Sequence, residues 1–321
     1  MTKTRVRRQI LMARRPMVSE PGSVAPGSAR PSHAAPGLLF HKMHGAGNDF
    51  VLLDWRNSEQ QLDVRQAALL ADRRLGIGCD QILIVRSSAD PGCLAAYEIR
   101  NADGSPAGQC GNGARCIALY LQMQGANASH FMLDSPAGPI AVTSCDDGEF
   151  ELDMGQPRFA SEQVPVNLTS QDGQYQLESP FGRLQFGAVS MGNPHALLLV
   201  ADVDQAQVTD IGSYLGRHSS FPEGCNVGFA QVLDRSSIRL RVFERGAGET
   251  LACGSGACAA VAILHQSGLV GSEVRVFLPG GLLVIKWPAI DRGIRMKGPA
   301  AYVYTGTLSQ LGNREDASKS S

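Results

Sequence analysis

Two short stretches carry the residue types that could do chemistry. One is Cys110-Gly111-Asn112-Gly113-Ala114-Arg115-Cys116, running into Ile117–Leu121. The other is Cys253-Gly254-Ser255-Gly256-Ala257-Cys258, running into Ala259–Leu264. Each sets a cysteine and two glycines directly before an apolar, alanine-rich run of helical length, so each thiol is expected at a helix N-terminus. Unpaired N–H groups and the positive end of the helix dipole favour a thiolate there. One such cysteine would be a candidate nucleophile, whereas two in matching contexts suggest an acid/base pair. Inverting a carbon centre requires a base on one face and an acid on the other. A carbon acid beside a carboxylate is very weak, so the site must also stabilise the developing charge. A thiol, with a reference pKa near ~8.5, can be poised for either role. The glycines let backbone N–H groups approach a carboxylate closely, which places the stabilisation on dipoles.

A pyridoxal phosphate mechanism would need a Schiff-base lysine. Lys3 and Lys319 lie in the tails, and Lys42, Lys286 and Lys297 have no persuasive setting, so no cofactor is expected. Eight cysteines in 321 residues are too dilute for a disulfide scaffold and read as reduced thiols. The spacings C-x5-C and C-x4-C, with the second cysteine of each pair inside a helix, argue against zinc. No metal is expected.

The elements that must position the two cysteines are short strands. Leu38–Met43 and Phe50–Asp54 read as strands joined by a glycine turn through Gly45-Ala46-Gly47. Residues 64–75 have helical spacing and should stop at Gly76-Ile77-Gly78. Strands follow at Ile82–Val85 and Tyr97–Arg100, then at Phe131–Leu133, Ile140–Thr143, Phe150–Met154 and Leu184–Val189. In the second half, Ala196–Val200 and Arg239–Phe243 read as strands around a helix-like stretch near 204–217. Val274–Leu278, Leu282–Ile285 and Ala301–Gly306 close the fold.

The two halves share landmarks in the same order and at nearly the same spacing, and such self-similarity fixes geometry. Asn48 and Asn193 each precede an apolar strand, 62 and 60 residues before their motif cysteines. Gly78-Cys79-Asp80 matches Gly224-Cys225-Asn226, and Asn101 and Glu244 each lie nine residues before their cysteine. A duplicated domain with a pseudo-two-fold axis would aim two helix N-termini at one cleft. The expected fold is α+β, with two pseudo-symmetric domains, each a curled mixed sheet around a central helix narrow enough to be enclosed.

Composition bounds the rest. The chain is 43% hydrophobic and 18% charged with a net charge of -1, which gives no electrostatic reason for nucleic acid or a membrane surface as partner. No apolar stretch approaches the roughly 20 residues of a transmembrane helix. Residues 1–36 are basic and rich in Pro, Gly, Ser and Ala, and are expected to be disordered. An organelle transit peptide fits that composition, and so does a start codon placed too early, with Met12 or Met17 as the true start.

Five blocks together resemble the diaminopimelate epimerase family: His41–Phe50, Asn101–Ser105, Gln109–Cys116, Gly192–His195 and Glu244–Gly256. The resemblance spans roughly residues 38–311. It implies a cofactor-independent interconversion of LL- and meso-diaminopimelate, in lysine and peptidoglycan precursor synthesis, by a cytoplasmic homodimer. It implies Cys110 and Cys253 as the acid/base pair, with Gly111, Asn112, Gly254 and Ser255 at the α-carboxylate. Asn101, Asn193, Asn226, Glu244 and Arg245 would grip the distal amino-acid end. Arg245 suits bidentate carboxylate binding and Glu244 an ammonium. Asn48 and Gln81 match further substrate contacts, and His195, paired with Glu244, would tune the thiols. The implied domains are 37–153 plus 300–312 and 154–299, flanked by disordered segments 1–36 and 313–321. Pro106 and Arg100 depart from the family pattern around 100–108, and Ser255 stands for the commoner threonine. Paired cysteines alone also fit a proline racemase-like enzyme, and the same cleft could serve a non-catalytic ligand-binding or thiol-redox protein.

Overall fold

Strands Asn48–Asp54 and Gln81–Arg86 each read as a near-continuous apolar run, the pattern of a strand covered on both faces. A computed structural model describes residues 37–171 and 173–309; the expected disordered segments 1–36 and 313–321 lie outside the described residues. The first half of the chain holds β1 (Leu38–Gly45), β2 (Asn48–Asp54), α1 (Val64–Ala71), β3 (Gln81–Arg86), β4 (Cys93–Asn101), α2 (Gly111–Met123), β5 (His130–Ser135), β6 (Gly138–Ser144) and β7 (Phe150–Asp153). The second holds β8 (Gln174–Ser179), β9 (Gly182–Ser190), β10 (Pro194–Leu199), α3 (Val208–Gly216), β11 (Asn226–Asp234), β12 (Ser237–Glu244), β13 (Gly248–Thr250), α4 (Gly254–Gln266), β14 (Glu273–Leu278), β15 (Gly281–Lys286) and β16 (Arg295–Gly298). The chain then returns to the first half as β17 (Ala301–Leu308), which pairs with β1.

The strand pairings form one continuous mixed sheet. Its order is β17-β1-β2-β3-β4-β5-β6-β7, then β16-β15-β14-β12-β11-β10-β9-β8, with β13 alongside the end of β12. The order is palindromic in topology. Counted from the outer edge of each half, the third and fourth strands are parallel, as are the fifth and sixth, and the halves meet antiparallel at β7 and β16.

Each half curls around one helix. In α4 every residue from Ala257 to Leu264 is buried, and in α2 every residue from Gly111 to Ala118. A helix apolar on all sides must be enclosed rather than lie on a surface, and alanine keeps it narrow. Phe50, Leu52, Leu83 and Val85 face α2, while Val51, Leu53, Ile82 and Ile84 pack on the opposite face with Leu70 of α1. The second half repeats the arrangement, with Val227 and Phe229 packed with Leu215 of α3.

Helix α1 is shorter than its spacing suggests. It ends at Ala71 because the Asp72 carboxylate accepts from the N–H groups of Arg74 and Leu75, both at 2.7 Å, which turns the chain out of helix. Leu75 is exposed as a result. The turn between β1 and β2 has positive φ at both Ala46 (52°) and Gly47 (82°), the mirror-image turn that suits a two-residue hairpin. It docks on the β14–β15 turn of the other half. A Cβ on Gly280 would lie 2.1 Å from the Ala46 carbonyl oxygen. Among the described residues no helix is long and apolar enough to cross a membrane.

Candidate active site

Strand register determines which side chains reach the site. In the first half Phe50 pairs with Gln81 and Gln81 with Asn101. In the second, His195 pairs with Asn226, and the Val227–Phe243 pair sets Asn226 beside Glu244. The halves therefore correspond residue by residue: Asn48 with Asn193, Phe50 with His195, Gln81 with Asn226, Asn101 with Glu244. Cys110 and Cys253 correspond as well, each the N-cap of its enclosed helix in extended backbone conformation.

The two helix starts meet at the seam. Met296 of β16 is fully buried between them: a Cβ on Gly111 would come within 2.3 Å of its Cε, and one on Gly254 within 2.9 Å of its Sδ. Glycine at both positions lets the Met296 side chain lie directly against the two helix starts. The cleft the two halves share has a volume of about 1520 Å³ and is lined by both cysteines with Asn48, Gln81, Asn101 and Asn193. Gly111, Asn112, Gly254, Ser255, Glu244 and Arg245 complete the expected set at its wall. Asn226 and His195 stand behind that wall, 5% and 2% exposed.

The thiols have different neighbours. Cys110 Sγ accepts from the Gly113 N–H at 3.4 Å and donates to Asn48 Oδ1 at 3.5 Å. Cys253 Sγ lies 3.6 Å from Ser255 Oγ, and the Glu244 carboxylate is close enough to act on it. Burial pushes the Cys110 thiol up to about 11, against the helix-start N–H of Gly113. Burial and then the negative charge of Glu244 raise Cys253 well above the ordinary thiol range. The helix-start N–H groups lower both thiols as expected, but desolvation of the sulfur outweighs them. Burial also raises Glu244, which accepts from Thr250 Oγ1.

His195 is not paired with Glu244 among the described hydrogen bonds. The register puts its Nε2 at 3.0 Å from Asn193 Oδ1 and 3.5 Å from Asn226 Nδ2. Burial, then the Arg245 charge, lowers it to about 3, so the ring is neutral and acts as a spacer between two amides. Asn226 Oδ1 accepts the Arg245 N–H at 2.9 Å and so orients that residue, while the Arg245 guanidinium reaches the Glu223 carbonyl. In the first half Gln81 Nε2 donates to Asn101 Oδ1 at 2.9 Å.

Several residues that matter here escaped the sequence reading. Asn48 is held by Asp80, whose Oδ2 accepts its amide at 2.9 Å, and Arg73 bridges Asp80 and Asp49. Lys42 is tied to Asp49 and to the Gly78 carbonyl. Burial pushes the Asp49 carboxyl up, yet Arg73 and Lys42 together hold it far below the carboxylate range. Thr250, Met296 and Arg115 are the others. Met296 and Arg115 reach segments distant in sequence, and Thr250 reaches Glu244 across the β12–β13 hairpin, pairings that local spacing does not reveal.

The diaminopimelate epimerase family model matches residues 40–160 and 187–303. The chain is 51% identical over 271 residues to a diaminopimelate epimerase of Xanthomonas axonopodis pv. citri (strain 306), covering 84% of this chain and 95% of that protein. Identity and coverage are the same for a diaminopimelate epimerase of Xylella fastidiosa (strain 9a5c). Among solved structures, a hydroxyproline epimerase from Agrobacterium vitis with bound trans-4-hydroxy-L-proline shares the fold at a TM-score of 0.64 and 16% identity, covering 85% of this chain and 93% of its own. A Bacillus anthracis phenazine biosynthesis protein does so at 0.59 and 14% identity, with coverage of 84% and 98%. With the family model matching well over half of its length, the chain belongs to the diaminopimelate epimerase family.

Proposed function

We propose that this isomerase interconverts LL- and meso-diaminopimelate by a two-thiol mechanism without a cofactor. The observation that carries the reading is the pair of cysteines capping two enclosed helices at equivalent positions on one shared cleft. One thiolate takes the α-proton on one face of the carbon, and the S–H of the other delivers a proton to the opposite face. The enzyme ends with the two protonation states exchanged. The N–H groups of Gly111, Asn112, Gly254 and Ser255 would receive the α-carboxylate, since anions sit at helix starts. They also stabilise the charge that develops as the proton leaves.

The distal end of the substrate is assigned to Asn101, Asn193, Glu244 and Arg245, with Asn48 and Gln81 as further contacts. Asn226 serves from behind by holding Arg245, and His195 by spacing Asn193 from Asn226. A cofactor-free reaction is supported by the lysines: Lys42, which reaches the cleft, is held in an ion pair with Asp49, and Lys297 in one with Asp147. We assign residues 37–153 with 300–312 to one domain and 154–299 to the other, and take the active species to be a cytoplasmic homodimer acting in lysine and peptidoglycan precursor synthesis.

The test is α-proton exchange in deuterated water with diaminopimelate, proline and hydroxyproline, with no cofactor added. Exchange confined to diaminopimelate is the expected result. Exchange with proline but not with diaminopimelate would sink the specificity, and no exchange with any of them would sink the mechanism.

A further inference from the structure

Arg115 is a charged side chain that the two-thiol mechanism does not use. It lies in the first turns of α2, is 0% exposed, and forms no ion pair among the described residues. Its Nε donates to the Pro299 carbonyl at 3.1 Å and its Nη2 to Asn112 Oδ1 at 2.7 Å, while Nη1 has no partner. Burying a guanidinium without a carboxylate is costly, and an orphaned N–H adds to the cost. A substitution to an apolar side chain would remove both penalties, so the position calls for a reason beyond packing.

The reason lies in Asn112. Its side chain sits three residues before Arg115 on the same helix face. With Oδ1 taken by the guanidinium, Nδ2 is turned toward the Ala252 carbonyl at 3.3 Å and Asn48 Oδ1 at 3.4 Å. Ala252 immediately precedes Cys253, and Asn48 Oδ1 also receives the Cys110 S–H. One amide therefore touches the cap of the opposing helix and the neighbour of its own thiol. Its orientation is fixed by the one group that can only donate to it. The Pro299 contact anchors the guanidinium to the link between β16 and β17. In the other half the equivalent positions are Ser255 and Cys258, which cannot form such a link.

Building on the two-thiol reading, we propose that Arg115 is a positioning residue: it locks Asn112 so that the caps bearing Cys110 and Cys253 are held at a fixed separation across the cleft. The Asn112 side chain is thereby committed to the protein, and only its backbone N–H is left for substrate. As a fixed cation near Cys110, Arg115 also favours the thiolate there.

The test compares the wild-type chain with Arg115→Met and Arg115→Lys by diaminopimelate α-proton exchange, by the pH dependence of Cys110 alkylation with iodoacetamide, and by thermal unfolding. Arg115→Met is expected to lower kcat about 100-fold with KM little changed, the size of loss that follows from misplacing reacting groups by about 1 Å. It should also move the Cys110 alkylation midpoint to higher pH. Arg115→Lys keeps the charge but not the planar fork, so the midpoint should return while most of the kcat loss remains. A purely structural arginine would lower the unfolding temperature and leave both kcat and the midpoint of the folded enzyme unmoved, which would overturn the proposal. Should Arg115→Met fail to fold, Arg115→Lys decides: wild-type kcat overturns the proposal and a folded variant with lowered kcat supports it. An inactive wild-type chain would sink the two-thiol reading itself, whereas an active wild type with unaffected variants sinks only the brace.

Discussion

At the scale of the residue, the site is two equivalent thiols made inequivalent by their neighbours. Cys253 has the carboxylate of Glu244 beside it, and Cys110 has the amide of Asn48. Burial is the larger cause of the raised Cys253 thiol, and since a negative neighbour disfavours a second negative charge, Glu244 adds to it. Glu244→Gln removes that charge and is expected to lower the pKa of Cys253. The measurement is the pH midpoint of Cys253 alkylation in a Cys110→Ser background, with the modified peptide identified by mass spectrometry. A midpoint unmoved or shifted upward would show that Glu244 does not set this thiol. The chemical types at the site were legible in the sequence, because thiol, glycine and amide recur at matched spacing in both halves. The sign of the thiol shifts was not, since desolvation depends on what the fold stacks over the sulfur. Nor was the partner of His195, which register alone determines.

At the scale of the element, helices α2 and α4 could be read directly from the Cys-Gly-x-Gly-Ala starts and the apolar runs behind them. In α4 enclosure leaves no polar stripe to obscure the pattern, while in α2 only Asn112 and Arg115 interrupt the buried run. Strand β16, Arg-Met-Lys-Gly, could not be read as a strand. It is four residues long, alternates charge with burial, and is held between β15 beside it in the chain and β7 some 140 residues away. Yet this strand carries Met296 to both helix starts and joins the halves. The β1–β2 turn was legible from its glycines, but its docking on the β14–β15 turn was not. That contact yields a sharp expectation. Gly280→Ala would place a methyl 2.1 Å from the Ala46 carbonyl oxygen, a backbone atom in a turn that cannot easily move. Overpacking of this kind costs about 1–3 kcal/mol, and chemical denaturation should show a loss in that range. A Gly280→Ala chain as stable as wild type would mean that the two turns are not in contact.

At the scale of the whole molecule, the duplication predicts how the protein fails in acid. Phe50 and His195 occupy equivalent positions in the two halves, and both are buried. Phe50 cannot titrate. His195 is lowered to about 3 by burial and then by Arg245, whereas an unfolded histidine binds its proton near ~6.5. The unfolded chain therefore takes up this proton first, so the full contribution to stability is present above about pH 6.5 and is lost progressively as the pH falls toward 3. At about 1.36 kcal/mol per unit the whole loss is at most roughly 5 kcal/mol, a large part of a typical domain's stability. The first half has its own acid-sensitive carboxylate in Asp49, held low by Arg73 and Lys42 despite its burial. That contribution is present above the ordinary aspartate range near ~3.9 and fades only below it. Acid should thus loosen the second half before the first. Hydrogen exchange at pH 5 against pH 7 is expected to show protection lost from β9, β10 and β11 while β1, β2 and β3 remain protected. His195→Phe, which copies the first half into the second, gives up the hydrogen bond to Asn193 and should lower stability at pH 7. It should nevertheless flatten the slope of stability between pH 7 and pH 4. Equal loss of protection in both halves, or an undiminished slope in the variant, would place the acid sensitivity elsewhere than at this histidine.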